Sequence, residues 1–354
     1  MAPVTVAPLG ELELRSIAAS VTMHDFVRRA PPFLRKGCGH REWLHFFVSA
    51  PDLECFVNVS VFDDLRPAAG GSERVRVLVM TRTADGTWDG DVDEIEASDV
   101  VLRGGQLDGT FGVTRLEHAG GAIHLRGALR ERPLAFDLVF EPRSYPSLAT
   151  DVRVGERGRI HWMVVPQLVA RGTVTIGKER HELVDAPAYH DHNWGVFAHN
   201  DFRWQWGHAQ DLARGQAVVL ARLLDGVAGK AFLHSLFVWN GPRIARIFRG
   251  DELTFRPDGF LRKKGLTLAR LASLLSRGAT EVPQRLLLEA RGGGDALSGE
   301  LVFEDAACIV LGEGADLEST LLYEVLGRLR LVGRVMDETI DLDAPVVFET
   351  MRKA

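Results

Sequence analysis

The chain has 354 residues, 46% of them hydrophobic and 25% charged, with a formal net charge of −6. That balance belongs to an ordinary globular protein and excludes a disordered one. With net negative charge and no long run of Lys or Arg, nucleic acid is not an expected partner. The length exceeds the roughly 100–200 residues of a typical domain, so two domains are expected.

Residues 1–15 mix apolar and acidic side chains and lack the apolar core of a signal peptide. No stretch approaches the ~18 apolar residues of a membrane span. Cys38, Cys55 and Cys308 are too scattered for a disulfide framework or a zinc site. They suit a reducing compartment, and a cytoplasmic location is expected.

Period-2 alternation is the dominant signal. Val75, Val77 and Val79 alternate with Arg74 and Arg76, and Ile123 and Leu125 with His124 and Arg126. Leu134, Phe136, Leu138 and Phe140 define another single face. Half-buried antiparallel strands read this way, with one face packed and one wet. Hairpin turns are predicted at Ala69-Gly70-Gly71, Ala84-Asp85-Gly86, Arg103-Gly104-Gly105, Leu107-Asp108-Gly109 and Gly120-Gly121, because Gly accepts positive φ at no steric cost. Further strands are predicted at Phe202–His208, Ala217–Leu223, Phe232–Trp239, Ile244–Phe248, Arg285–Ala290, Leu301–Phe303 and Leu321–Leu331. One helix is predicted, Leu266–Ser276, ending before Gly278. Gly292-Gly293-Gly294 reads as a flexible loop. The expected class is all-β, as sandwich or barrel.

Four of the seven tryptophans, Trp162, Trp194, Trp204 and Trp206, fall between residues 160 and 207. His161, His181, His190, His192 and His199 fall in the same stretch. Large rings with a few polar groups are the usual make-up of a small-molecule site. If residues 189–194 are extended, Tyr189, Asp191 and Asn193 share one side of the strand, and His190, His192 and Trp194 the other. An Asp beside Tyr on an apolar face is expected to hold its proton tightly, because burial disfavours the carboxylate. Such an acid can protonate a substrate. The His190-x-His192 pair could ligate a transition metal, but no spacing supplies further ligands from His161, His199 or His208. Hydrogen bonding is the expected role of both rings, and no metal is expected. Trp204, Trp206 and His208, on one predicted strand face with Phe202, are expected to line the same apolar cavity.

The string Ala188-Tyr189-His190-Asp191-His192-Asn193-Trp194-Gly195 resembles the signature of the carotenoid 1,2-hydratase (hydroxyneurosporene synthase) family and its lipocalin-like relatives. His161-Trp162, Gly172-Thr173-Val174 and Glu42-Trp43 resemble the family as well. The resemblance implies two consecutive lipocalin-like antiparallel β-barrel domains with few short helices, residues 1–197 and 198–354, joined near residues 196–201. It further implies cofactor-independent hydration or cyclisation of an apolar polyene or isoprenoid-type molecule. Asp191 would be the proton donor, Tyr189 its neighbour, and His161 and Trp162 supporting residues. His192, Asn193, Trp194, Trp204, Trp206 and His208 would bind substrate. The family also includes natural-product cyclases of secondary metabolism, which implies confinement catalysis as an alternative, and lipocalin-like folds can simply carry a lipophilic ligand. The implied partner is a hydrophobic small molecule, and peripheral contact with a membrane surface is compatible with it.

Overall fold

The computed structural model describes residues 9–28, 39–62, 74–156, 158–197, 202–226, 230–261, 267–268, 282–311 and 320–353. They fall into two compact units, one within Pro8–Asp201 and one within Phe202–Ala354. Both are antiparallel β, and the chain is all-β and lipocalin-like.

In the first unit helix α1 (Glu11–His24) precedes β1 (Gly39–Ala50), β2 (Leu53–Phe62), β3 (Arg74–Thr83) and β4 (Trp88–Ile95). Five strands follow: β5 (Val100–Leu102), β6 (Asp108–Phe111), β7 (Thr114–Ala119), β8 (Ala122–Ala128) and β9 (Leu134–Pro142). β10 (Ser147–Val154) then leads to the long strands β11 (Gly158–Ile176) and β12 (Glu179–Phe197). The sheet order is β4-β3-β2-β1-β12-β11-β9-β8-β7-β6-β5, with β10 paired to β11. The first strand thus lies against the last, and each neighbouring pair buries one alternating face. Leu134, Phe136, Leu138 and Phe140 are buried with Val75, Val77 and Val79 in a single core.

The second unit opens with β13 (Phe202–Asp211), β14 (Gln216–Asp225), β15 (Ala231–Asn240), β16 (Arg243–Arg249) and β17 (Leu253–Phe260). It continues with β18 (Thr267–Leu268), β19 (Pro283–Gly292), β20 (Asp295–Leu311), β21 (Thr320–Val335) and β22 (Glu338–Lys353). Its sheet order, β16-β15-β14-β13-β22-β21-β20-β19-β17, again sets first strand against last. Val218, Leu220, Leu236, Phe303, Val346 and Phe348 belong to its own core.

Several local expectations need correcting. Asp108-Gly109 opens β6 and is no turn; Asp108 is held in the sheet by ion pairs to Arg115 and Arg103. Gly292-Gly293-Gly294 is no slack loop. Gly293 (φ 61°) and Gly294 (φ 92°) form the tight connection between β19 and β20, where positive φ matches strand twist. Of the helix expected at Leu266–Ser276, Thr267–Leu268 form a two-residue strand parallel to β20. Residues 266 and 269–276 lie outside the described residues, as does the Ala69-Gly70-Gly71 turn. Helix α1 was not expected at all. Its apolar stripe is short, with Ile17 and Val21 buried at i, i+4. Among the described residues no helix is long and apolar enough to cross a membrane.

Candidate functional site

Strand β12 runs straight through the signature and shows different chemistry on its two sides. In register against β1, His192 faces Leu44 and His190 faces Phe46, both residues of the first core. Tyr189, Asp191 and Asn193 lie opposite Phe47, His45 and Trp43, on the other side of the sheet.

On the core side, α1 delivers a carboxylate. Asp25 caps the helix, its backbone N–H bonded to the carbonyl of Val21 at 2.9 Å, and burial of Ile17 and Val21 carries it into the unit's interior. Asp25 Oδ2 lies 3.0 Å from His190 Nε2, and Oδ1 lies 2.8 Å from His192 Nδ1. His192 Nε2 then meets Glu42 Oε1 at 2.7 Å, and Glu42 Oε2 meets His40 Nε2 at 3.0 Å. The result is an unbroken chain His190–Asp25–His192–Glu42–His40. Asp25, Glu42, His190 and His192 are fully buried. The Nδ1–H of His190 donates to the carbonyl oxygen of His45 at 2.9 Å, which fixes that ring on β1. The ring of Phe46 stacks on it at 4.2 Å. His118 Nε2 lies 3.4 Å from Asp25 Oδ2.

The charges follow from this geometry. Burial pulls the His192 imidazolium down, but carboxylates on both ring nitrogens overcome it and raise its pKa to about 9. Both nitrogens must then donate, so His192 is the cation of the chain. Burial would raise Asp25, yet the nearby His190 and His118 rings and hydrogen bonds from His190 and His192 hold it well below the usual carboxylate range. Glu42 is likewise lowered against its burial, by His192 and His40. Toward one end of the chain, the Arg28 backbone N–H donates to Glu42 at 2.7 Å while its guanidinium covers the Trp194 ring at 3.4 Å. His161 stacks on the same indole at 5.4 Å, nearly parallel. Burial lowers the His161 pKa, with Asp151 opposing and Arg28 adding to the effect.

The opposite side of β12 carries the other carboxyl. Asp191 is only 5% exposed. The Tyr189 hydroxyl donates to its Oδ2 at 2.8 Å and the Asn193 amide to its Oδ1 at 2.8 Å. Phe47 and Phe56 are buried on neighbouring strands, and Phe56 stacks on Trp88 at 6.0 Å. His45, directly across the strand pair from Asp191, packs edge-on to Phe56 and Tyr189. Burial, aided by His190, pushes His45 down to about 3, so this ring is neutral. Trp162 of β11 pairs with Asn193 of β12 and lies on this same side.

The structure therefore brings Tyr189, Asp191, Asn193 and Trp162 to one side of the sheet, and His161, His192 and Trp194 to the other. Trp204, Trp206 and His208 belong to the second unit, on β13. There the Trp204 indole N–H donates to Glu349, whose pKa burial raises, and Trp206 stacks on His208 at 6.4 Å. Sequence reasoning missed Asp25, His40, His45 and His118, and quoted Glu42 only as part of a motif. Local patterning carries no sign of them, since their partners stand up to 167 positions away. Among the described residues no group of three or more His, Cys, Asp or Glu is arranged to hold a metal ion.

These features define an all-β protein of two lipocalin-like units with buried acid–base groups on both faces of one strand. No family model matches the chain, and no curated protein matches it. Solved structures do. A candidate AttH from Nitrosomonas europaea superposes with a TM-score of 0.60 at 13% identity, over 92% of this chain and 98% of that one. Kievitone hydratase from Nectria haematococca gives 0.56 at 13% identity, over 99% and 94%. CghA gives 0.56 at 11% identity, over 94% and 95%. At such identities the likeness is one of fold.

Proposed function

We propose that the protein is a cofactor-independent enzyme that hydrates or cyclises an apolar, unsaturated molecule, with Asp191 as proton donor. The observation that carries this reading is the buried Tyr189–Asp191–Asn193 group on an aromatic-rich sheet face. In its acid form Asp191 keeps both contacts, since Tyr189 and Asn193 donate to its oxygens. The neutral His45 across the strand pair adds no positive charge that would draw the proton off. The proton adds to one alkene carbon and leaves a cation on the other. In hydration, water bonds to that cation and returns a proton to the carboxylate. In cyclisation, an internal π bond attacks and a neighbouring C–H gives the proton back. Trp162 and Tyr189 could stabilise the cation through their ring faces, by about 0.5–2 kcal/mol per contact. The signature's resemblance to the carotenoid hydratases supports this reading, as do two of the fold's relatives: one is named a hydratase, and CghA has been crystallised with Sch210972.

The test is turnover of prenylated and polyene substrates in D2O, read by mass spectrometry. Hydration adds water and one carbon-bound deuterium; cyclisation gives an isomer carrying deuterium. Asp191→Asn should lower the rate by about 100-fold or more while leaving substrate binding intact. Wild-type turnover in that variant would sink the proposal. Purely confining catalysis would show partial activity and no deuterium at carbon.

A further inference from the structure

The core of the second unit runs out into basic and polar side chains. On β14 the buried face of Val218 and Leu220 continues by alternation to Arg222; on β15 that of Val238 and Leu236 continues to His234. On β13 the face of Ala209 continues to Gln205 and Arg203. Register places Gln205 beside Arg222, and Arg222 beside His234, across three adjacent strands.

Arg222 is half-buried and held in a fixed pose. Its Nη1 donates to Gln205 Oε1 at 2.5 Å, and its guanidinium lies over the Phe255 ring at 4.8 Å. Its Nε is buried with no hydrogen-bond partner, and so are the Nε of Arg203 and the Nδ1 of His234. Among the described residues neither Arg222 nor Arg203 has a carboxylate partner, and the one influence on the Arg222 pKa is the lowering by burial. Arg246, in the same unit, shows the contrast: it is similarly covered and meets Glu252 at 2.6 Å and Asp295 at 3.2 Å. Partly desolvated cations without counter-charge are unfavourable, and two guanidiniums on neighbouring strands repel one another. Apolar surface stands close by: Phe232, two residues before His234, is 48% exposed.

We propose that this end of the second unit binds the carboxylate of an apolar acid, with Arg222 as its principal donor and Phe232 and Phe255 meeting the hydrocarbon. Planar guanidinium suits a carboxylate because two parallel N–H groups match two oxygens. Gln205 and Phe255 set the plane before the ligand arrives. The site does not depend on any role of Asp191.

The experiment is calorimetric titration of the full chain with decanoate and, separately, 1-decanol. Wild type should bind decanoate saturably and about tenfold or more tightly than the alcohol, a preference that weakens with added salt. Arg222→Leu should abolish the preference, and Arg222→Lys should keep part of it. Absence of decanoate binding to wild type overturns the proposal, as does equal affinity for acid and alcohol. So does a preference that survives in Arg222→Leu. Should Arg222→Leu fail to fold, the wild-type comparison and Arg222→Lys still decide.

Discussion

His192 sits between two carboxylates, and its removal would leave Asp25 and Glu42 buried with their cation gone. Breaking a buried ion pair from one side costs about 3–5 kcal/mol. His192→Gln should therefore lower stability to urea by that order, whereas Asp191→Asn, which keeps its shape, should cost much less. The same group sets a pH dependence. The folded-state pKa of His192, about 9, lies above its ordinary 6.5, so its contribution is complete below pH 6.5 and lost as pH rises through 9. Asp25 and Glu42 are lowered from 3.8 and 4.5, so theirs is complete above about pH 4.5 and lost on further acidification. Thermal melts followed by circular dichroism should show greatest stability between these limits. His192→Gln should flatten the alkaline arm; an alkaline arm unchanged in that variant would contradict the assigned charge.

At the level of the strand, the signature's terminal Gly195 has a packing explanation. Gly195 pairs in register with Ile160 of β11, and a Cβ there would stand 2.1 Å from the carbonyl oxygen of Arg159. The close approach of β11 and β12 at this point admits no side chain, so Gly195→Ala must part the two longest strands of the first unit. The expected cost is about 1–3 kcal/mol, the usual range for overpacking, read as a lower urea midpoint. A midpoint equal to wild type would show that the strands separate freely. The glycine belongs to the scaffold that aims Asp191 and His192 to opposite sides.

Across the whole molecule, what could be read from the chain was what alternates. Val75–Val79 and Leu134–Phe140 announced their strands because buried residues alternate there with partly or fully exposed ones, and Gly120-Gly121 announced its hairpin by needing positive φ. The split of residues 189–194 into two faces was legible for the same reason. Strand β22 was not, although Ile340, Leu342 and Ala344 alternate, because Val346, Val347 and Phe348 are buried in succession and break the period. Nor was the carboxylate–imidazole chain, assembled from α1, β1 and β12, whose order in space no local pattern encodes. That chain also acts on the pairing of β1 with β12. A slip of β12 by one residue would exchange its faces and set Asp191 or Asn193 where His192 stands. Asp25 and Glu42 would then confront either a third carboxylate or a neutral amide, with no imidazolium between them. Charge of alternating sign thus proofreads the alignment of these two strands, and a misaligned pair is rejected by electrostatics before packing can tolerate it.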